Sequence, residues 1–231
     1  MSLPQTIVIG ALAGFVVIGS SLPGTVAAQP GAAISQNIWE NDRMQVQRAT
    51  LAPGETLSRE STGGSVIVFL TADLDGRIPA AEAAWRDPGP VMMENRGRAR
   101  FEALFVDLKS SATHAGGVTP PEVARAFGTI APHVLAGSYE MTTRAQNLIV
   151  HDRVSVTKER YAATWPVDPL HFHLQDGVVI YLRGGYIWPA AWFEGPEHVR
   201  RGDVRVIPGN VLHTPGNAGS DPLEFLLIFP A

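Results

Sequence analysis

The stretch "PLHFHLQDGVVIYLRGG", residues 169–185, sets two histidines one residue apart ahead of an unbroken apolar run, Val178-Val179-Ile180-Tyr181-Leu182, which a Gly-Gly turn closes. Such a run, bounded by turn residues, reads as an apolar β-strand. In an extended chain residues i and i+2 point the same way, about 7 Å apart, so His171 and His173 converge on one point while Phe172 faces away. Two imidazoles at that spacing can share one ion at metal–nitrogen distances of about 2.1 Å. A hydrogen-bonded or surface pair of histidines is the plainer alternative.

The chain repeats itself. Asp-Arg-Met-Gln-Val at 42–46 returns as Asp-Arg-Val-Ser-Val at 152–156, and Val-Ile-Val-Phe-Leu at 66–70 returns as Val-Val-Ile-Tyr-Leu at 178–182. "NRGRARFEALFV" from Asn95 matches "NAGSDPLEFLLI" from Asn217 in its Asn, Gly and Glu. Three matches in one order imply a duplication. Within the second copy the pattern predicts strands around Val154 and Val156 and at 178–182, 204–207 and 223–229. Turns fall at Pro53-Gly54, Gly63-Gly64, Gly184-Gly185, Pro208-Gly209-Asn210 and Pro215-Gly216-Asn217. Many short strands between such turns make an all-β sandwich or barrel in each copy.

Downstream of the histidine pair, "GDVRVIPGNVLHTPGN" spaces Gly202, Pro208, His213 and Asn217. This stretch resembles the second motif of the cupin superfamily, and "HFHLQDGVVIYLRGG" resembles its first. The resemblance implies two tandem jelly-roll β-barrels, a bicupin, with His171, His173 and His213 meeting inside the second as metal ligands. Cupins commonly add a carboxylate four or five residues after the second histidine, where this chain has Gly177 and Val178. The implied site is then a neutral three-histidine face, of the kind some cupin thiol and diketone dioxygenases use with iron. Gln175 or Asp176 is the alternative fourth ligand. In the first copy "LSRES", residues 57–61, stands where the histidine pair stands and Val91 where His213 stands, and no histidine precedes His114. That barrel is expected to be metal-free and structural.

The expected organisation is a leader at 1–28, a degenerate barrel at 29–112, a linker at 113–139 and the metal-binding barrel at 140–231. In the linker, Thr119 offers an N-cap and Pro120 and Pro121 begin a short helix. The apolar stretch at 7–18 is too short for the roughly 20 residues of a bilayer-crossing helix and leads to Val26-Ala27-Ala28, a signal-peptide pattern with cleavage expected after Ala28. No Lys or Arg precedes it, which departs from that pattern. The mature chain is expected to be periplasmic or secreted, without a stable membrane anchor.

The 231 residues contain no cysteine, so disulfides, thiolate ligands and cysteine nucleophiles are excluded and any metal must be held by nitrogen and oxygen. A net charge of −4 with no concentrated basic patch argues against nucleic acid as a partner. Arg96, Arg98 and Arg100, flanked by Glu94 and Glu102, read as a solvated strand face. There is no Gly-x-Ser-x-Gly elbow and no phosphate-cradling glycine loop.

Aromatic residues crowd into the copy that keeps its histidines. Tyr181, Trp188 and Trp192 are the candidates for contact with a small-molecule substrate, the two tryptophans lying on a predicted loop with Pro189, although barrel core accounts for part of this enrichment. His114, His133, His151 and His198 read as loop or strand-end residues, with His198 placed nearest the barrel mouth. One divalent ion is expected, with Fe2+ favoured over Zn2+ or Mn2+. Three readings follow: an Fe(II)-dependent dioxygenase acting on a small organic substrate; a Zn- or Mn-dependent lyase, isomerase or hydrolase; and a non-catalytic cupin that binds a small ligand or metal. None of Asp168, Asp176, Glu194 and Glu197 is placed in the barrel by spacing, so no general base is assigned. A homodimer paired through sheet edges is also expected.

Overall fold

The computed structural model describes residues 33–72, 74–109, 143–163, 173–188, 195–209, 211 and 213–231. The expected leader, the linker with its short helix, His114, His133, His171 and Trp192 lie outside the described residues. Among those described there is no helix, and none long and apolar enough to cross a membrane.

The first half consists of β1 (Ile34–Glu40), β2 (Met44–Leu51), β3 (Thr56–Ser61), β4 (Ser65–Phe69), β5 (Glu82–Arg86), β6 (Gly89–Glu94) and β7 (Phe101–Leu108). The second consists of β8 (Thr143–His151), β9 (Val154–Tyr161), β10 (Gly177–Tyr181), β11 (Gly185–Trp188), β12 (Glu197–Val199), β13 (Val204–Ile207), β14 (Gly216–Asn217) and β15 (Leu223–Pro230). Each half has one five-stranded sheet, ordered β1-β2-β7-β4-β5 and β8-β9-β15-β10-β13, and a smaller sheet, β3-β6 or β12-β11-β14. The all-β jelly-roll expectation holds.

Registers repeat along with the sequence. Val66 lies opposite Val106 as Val178 lies opposite Ile228. The bulge between Asn37 and Trp39 in β1 returns between Asn147 and Ile149 in β8.

Alternation along these strands divides the core into three. Val66 and Val68 of β4 and Val178 and Ile180 of β10 turn into one cluster with Met44, Val46, Leu104, Val106, Val154, Val156, Leu226 and Ile228, so the two large sheets pack face to face. The intervening positions, Ile67 and Phe69 or Val179 and Tyr181, turn the other way into the interior of their own barrel. Continuous apolar runs follow from this arrangement, because a strand covered on both faces has no polar side to present. Burying each Val, Leu or Ile contributes about 1.5–3 kcal/mol.

Polar contacts cross the seam reciprocally. Arg43 donates to the Ala231 carbonyl at 3.0 Å, and Arg153 to the Lys109 carbonyl at 3.3 Å. The repeated Asp-Arg pair thus supplies one arginine from each half to the carbonyl just after a strand of the other, β7 or β15. Five residues further along in each copy, Arg48 donates to the Gly202 carbonyl and Lys158 to the Ala81 carbonyl. Gly202 and Ala81 occupy equivalent turns in the two halves, with φ of 82° and 68°. Glycine takes that conformation without strain, whereas a Cβ there costs about 1–2 kcal/mol. Ala81→Gly is therefore expected to raise stability by about 0.5–1 kcal/mol after glycine's extra chain entropy is subtracted. A urea midpoint that falls would show that packing of the Ala81 methyl outweighs the strain.

Arg96, Arg98 and Arg100 do not form a strand face. Residues 95–100 make a bend in which Asn95 donates to the Leu51 and Ala99 carbonyls at 2.9 and 2.8 Å and accepts from the Gly97 amide. The alternating arginines mimicked strand periodicity, but the asparagine closes the chain into a loop.

Candidate metal centre

In the second barrel β10 and β15 carry the site's floor, and the loop from 173 to 176 leads into β10. The His173 ring lies 5.0 Å from the His213 ring, centroid to centroid. Two imidazoles sharing one ion at about 2.1 Å per bond have centroids about 4.5–5 Å apart, so this pair has the separation a common ion requires. His213 is buried, and its Nδ1 lies 2.9 Å from the Val211 carbonyl. A carbonyl only accepts, so Nδ1 carries the proton and Nε2 the lone pair, the tautomer that ligates through Nε2. Among the described residues no group of three or more His, Asp or Glu stands together. His173 and His213 are the described part of the expected triad.

Neither Gln175 nor Asp176 is placed to act as a fourth ligand. Gln175 accepts from Arg43 at 2.6 Å and donates to the Pro230 carbonyl. Asp176 accepts from Asn41 at 3.2 Å and from the Gly209 amide at 2.8 Å. Both fasten the loop that carries His173, and Asn41 and Arg43 do so from the first barrel. Gly177 has a packing reason to lack a side chain: a Cβ there would lie under 3.0 Å from Cδ1, Cε1 and Cζ of Phe229. That ring stacks on His173 at 4.4 Å. Val178 faces the other barrel.

No family model matches the sequence, and no curated protein is detectably similar to it. Solved structures are. A cupin 2 conserved barrel domain protein from Leptotrichia buccalis superposes with a TM-score of 0.57 at 15% identity, over 89% of this chain and 92% of its own. A salicylate 1,2-dioxygenase from Pseudoaminobacter salicylatoxidans in complex with gentisate gives 0.56 at 9% identity, over 80% and 68%. The oxalate decarboxylase formate complex of Lactobacillus farciminis gives 0.52 at 16%, over 81% and 76%. The chain has the cupin fold.

Within this cupin fold the motif asparagines are structural in both barrels. Asn217 donates to the Ala162 and Asp221 carbonyls at 2.8 and 2.7 Å and accepts from Gly219, repeating the pattern of Asn95. Where the first barrel lacks histidines it holds an ion pair instead. Arg59, aligned in sequence with His171 by the offset that aligns Val66 with Val178, pairs with Asp107, both side chains 11% exposed. Ser61, at the place of His173, lies 2.9 Å from Ser65, which also donates to Asp107. The Arg59 guanidinium sits 4.2 Å over the Phe105 ring.

Of the candidates for substrate contact, Tyr181 is 1% exposed and packs against Phe225 in the barrel core. Tyr181 also lines a groove of about 480 Å3, together with Arg48, His198 and Arg205. Burial pushes the phenol up to about 12 from 10.0, opposed by Arg205. An unfolded tyrosine loses its proton near pH 10, so the stability this group contributes is present below pH 10 and is lost as pH rises from 10 to 12. The loss is expected to reach about 2 kcal/mol. Denaturation across that range should show the slope, and Tyr181→Phe should lack it.

Trp188 ends β11 rather than lying on a loop, paired with Gly216. Alternation puts it on the face of exposed Tyr186, opposite buried Ile187. His198 pairs with Tyr186 on that same outer face, rings 5.0 Å apart, not inside a barrel mouth. His151 stacks on Trp85 of the other half at 4.4 Å.

One interior carboxylate escaped the sequence reading. Glu159 is buried on β9 opposite Phe225, on the face that carries Tyr161 into the barrel. The signal was available: Val154 and Val156 face the other barrel, so 155, 157, 159 and 161 must face inward.

Proposed function

We propose that this protein is an exported bicupin whose second barrel holds one divalent ion through His171, His173 and His213, and that it is an Fe(II)-dependent dioxygenase acting on a small organic substrate. The observation that carries the reading is the convergence of His173 and His213, with the Nδ1 of His213 held by the Val211 carbonyl. An all-imidazole donor set suits Fe(II), and the bound ion would supply a centre at which an organic substrate and oxygen can both be held. His213 keeps its ligating nitrogen aimed through its backbone hydrogen bond, and His173 is oriented by Phe229 and by the loop anchored at Gln175 and Asp176. The apolar interior built by Val179, Ile187, Leu223 and Phe225 excludes water, with Glu159 as the carboxylate within it. The gentisate complex of the salicylate dioxygenase supports a small aromatic acid among the substrates to be tried.

Export to the periplasm or medium is proposed from the apolar stretch at 7–18 and the Val26-Ala27-Ala28 that follows it. Pairing of two copies through outer strands such as β1 or β8 is proposed as well, and sedimentation as a monomer at micromolar concentration would refute it.

The test is metal content after anaerobic iron loading, followed by oxygen uptake with phenolic acids, diketones and thiols. One equivalent of iron and substrate-dependent uptake are expected. Occupancy below about a tenth of an equivalent would overturn the metal reading. Turnover with zinc or manganese but no oxygen uptake would move the assignment to lyase, isomerase or hydrolase chemistry.

A further inference from the structure

We infer that Phe229 is a positioning residue of the second barrel: it orients His173 by ring contact and, with Gly177, keeps a carboxylate from the position beside that histidine. This rests on the metal reading above. Strand register makes the comparison with the first barrel strict. Val66 opposite Val106 corresponds to Val178 opposite Ile228, so Ser65 and Asp107, one step further on, correspond to Gly177 and Phe229. Both Asp107 and Phe229 continue the inward-facing row of their strand, after Ala103 and Phe105 in one case and Phe225 and Leu227 in the other. The same interior position thus carries a carboxylate in one barrel and a phenyl ring in the other.

What each does there differs accordingly. Asp107 takes the guanidinium of Arg59 and the hydroxyl of Ser65. Phe229 lies against the His173 imidazole at 4.4 Å, with ring planes 30° apart, and covers Gly177 so closely that no Cβ fits. A stacked ring restricts the imidazole to one plane without competing for its nitrogens. An aspartate in its place would bring a negative oxygen donor to the histidine side of the barrel, where hard divalent ions bind carboxylates readily.

The full-length protein is loaded with Co(II), whose visible absorption reports its ligands, and affinity is measured by competition with a chromophoric chelator. Phe229→Asp is expected to bind Co(II) at least about tenfold tighter than the neutral, near-isosteric Phe229→Asn, with a shifted absorption band. Phe229→Leu, which keeps the site apolar and the barrel filled, is expected to bind about tenfold more weakly than wild type. Equal affinities and identical spectra for the Asp and Asn variants, or wild-type affinity in the Leu variant, would overturn the role of Phe229. Those outcomes are separable from failure of the site itself. A wild-type protein that takes up no Co(II), or a His213→Ala variant that keeps it, would overturn the metal reading and this inference together.

Discussion

Asp107→Ala is expected to cost about 3–5 kcal/mol of stability, because it leaves the Arg59 guanidinium inside the first barrel without its partner. Arg59 and Asp107 are each 11% exposed at the side chain, so neither charge can recover its hydration by a small movement. Ser65 and Ser61 would lose the acceptor that organises them. Such a loss is a large fraction of the roughly 5–15 kcal/mol by which an ordinary domain is stable. Removing both charges is a different experiment. Arg59→Met with Asp107→Leu replaces the pair by apolar volume and is expected to restore most of the loss, since exchanging a buried pair for well-packed hydrophobic residues is often neutral or stabilising. Chemical denaturation of wild type, single and double variants measures both effects. A single-variant cost below about 1 kcal/mol would show the pair to be hydrated like a surface salt bridge.

His213→Ala is expected to weaken binding of a divalent ion by more than about 100-fold, the upper end of what loss of a supporting second-layer residue costs. The apo protein should be destabilised by only about 1 kcal/mol, for the hydrogen bond that Val211 loses. The two readouts separate ligation from folding: affinity collapses while the apo unfolding midpoint barely moves. An unchanged affinity would place the ion elsewhere. Asn217→Ala is the contrasting case, since Asn217 closes a turn through three hydrogen bonds and its loss acts on the fold.

The strands and their duplication were legible because both depend on local pattern. The runs at 66–70 and 178–182, the alternation at 154–156 and the Gly-Pro turns each occupy a few adjacent residues, and they appear as β4, β10 and β9. The failures share a cause. Arg96, Arg98 and Arg100 have strand spacing, yet a single asparagine with three hydrogen bonds outweighs a weak periodic preference. Trp188 was placed on a loop because Pro189 follows it, although the strand runs up to the proline before stopping. Glu159 lies outside the histidine motifs in sequence, and β9 brings it to the interior only by pairing with β15.

By itself the sequence determined that the protein is all-β, that it contains two copies of one barrel, and that only one copy retains histidines at its motif positions. Those conclusions follow from the two-residue period of strands, turn chemistry and self-comparison, none of which requires knowing which strands touch. The tertiary structure alone decided that the two large sheets bury one another, that Arg43 and Arg48 of the first barrel answer Arg153 and Lys158 of the second, and that Phe229 fills the space beside Gly177. An apolar strand does not reveal what covers its second face, and a glycine does not reveal which ring excludes its side chain. Both depend on the register of residues far apart along the chain, set when whole sheets pack.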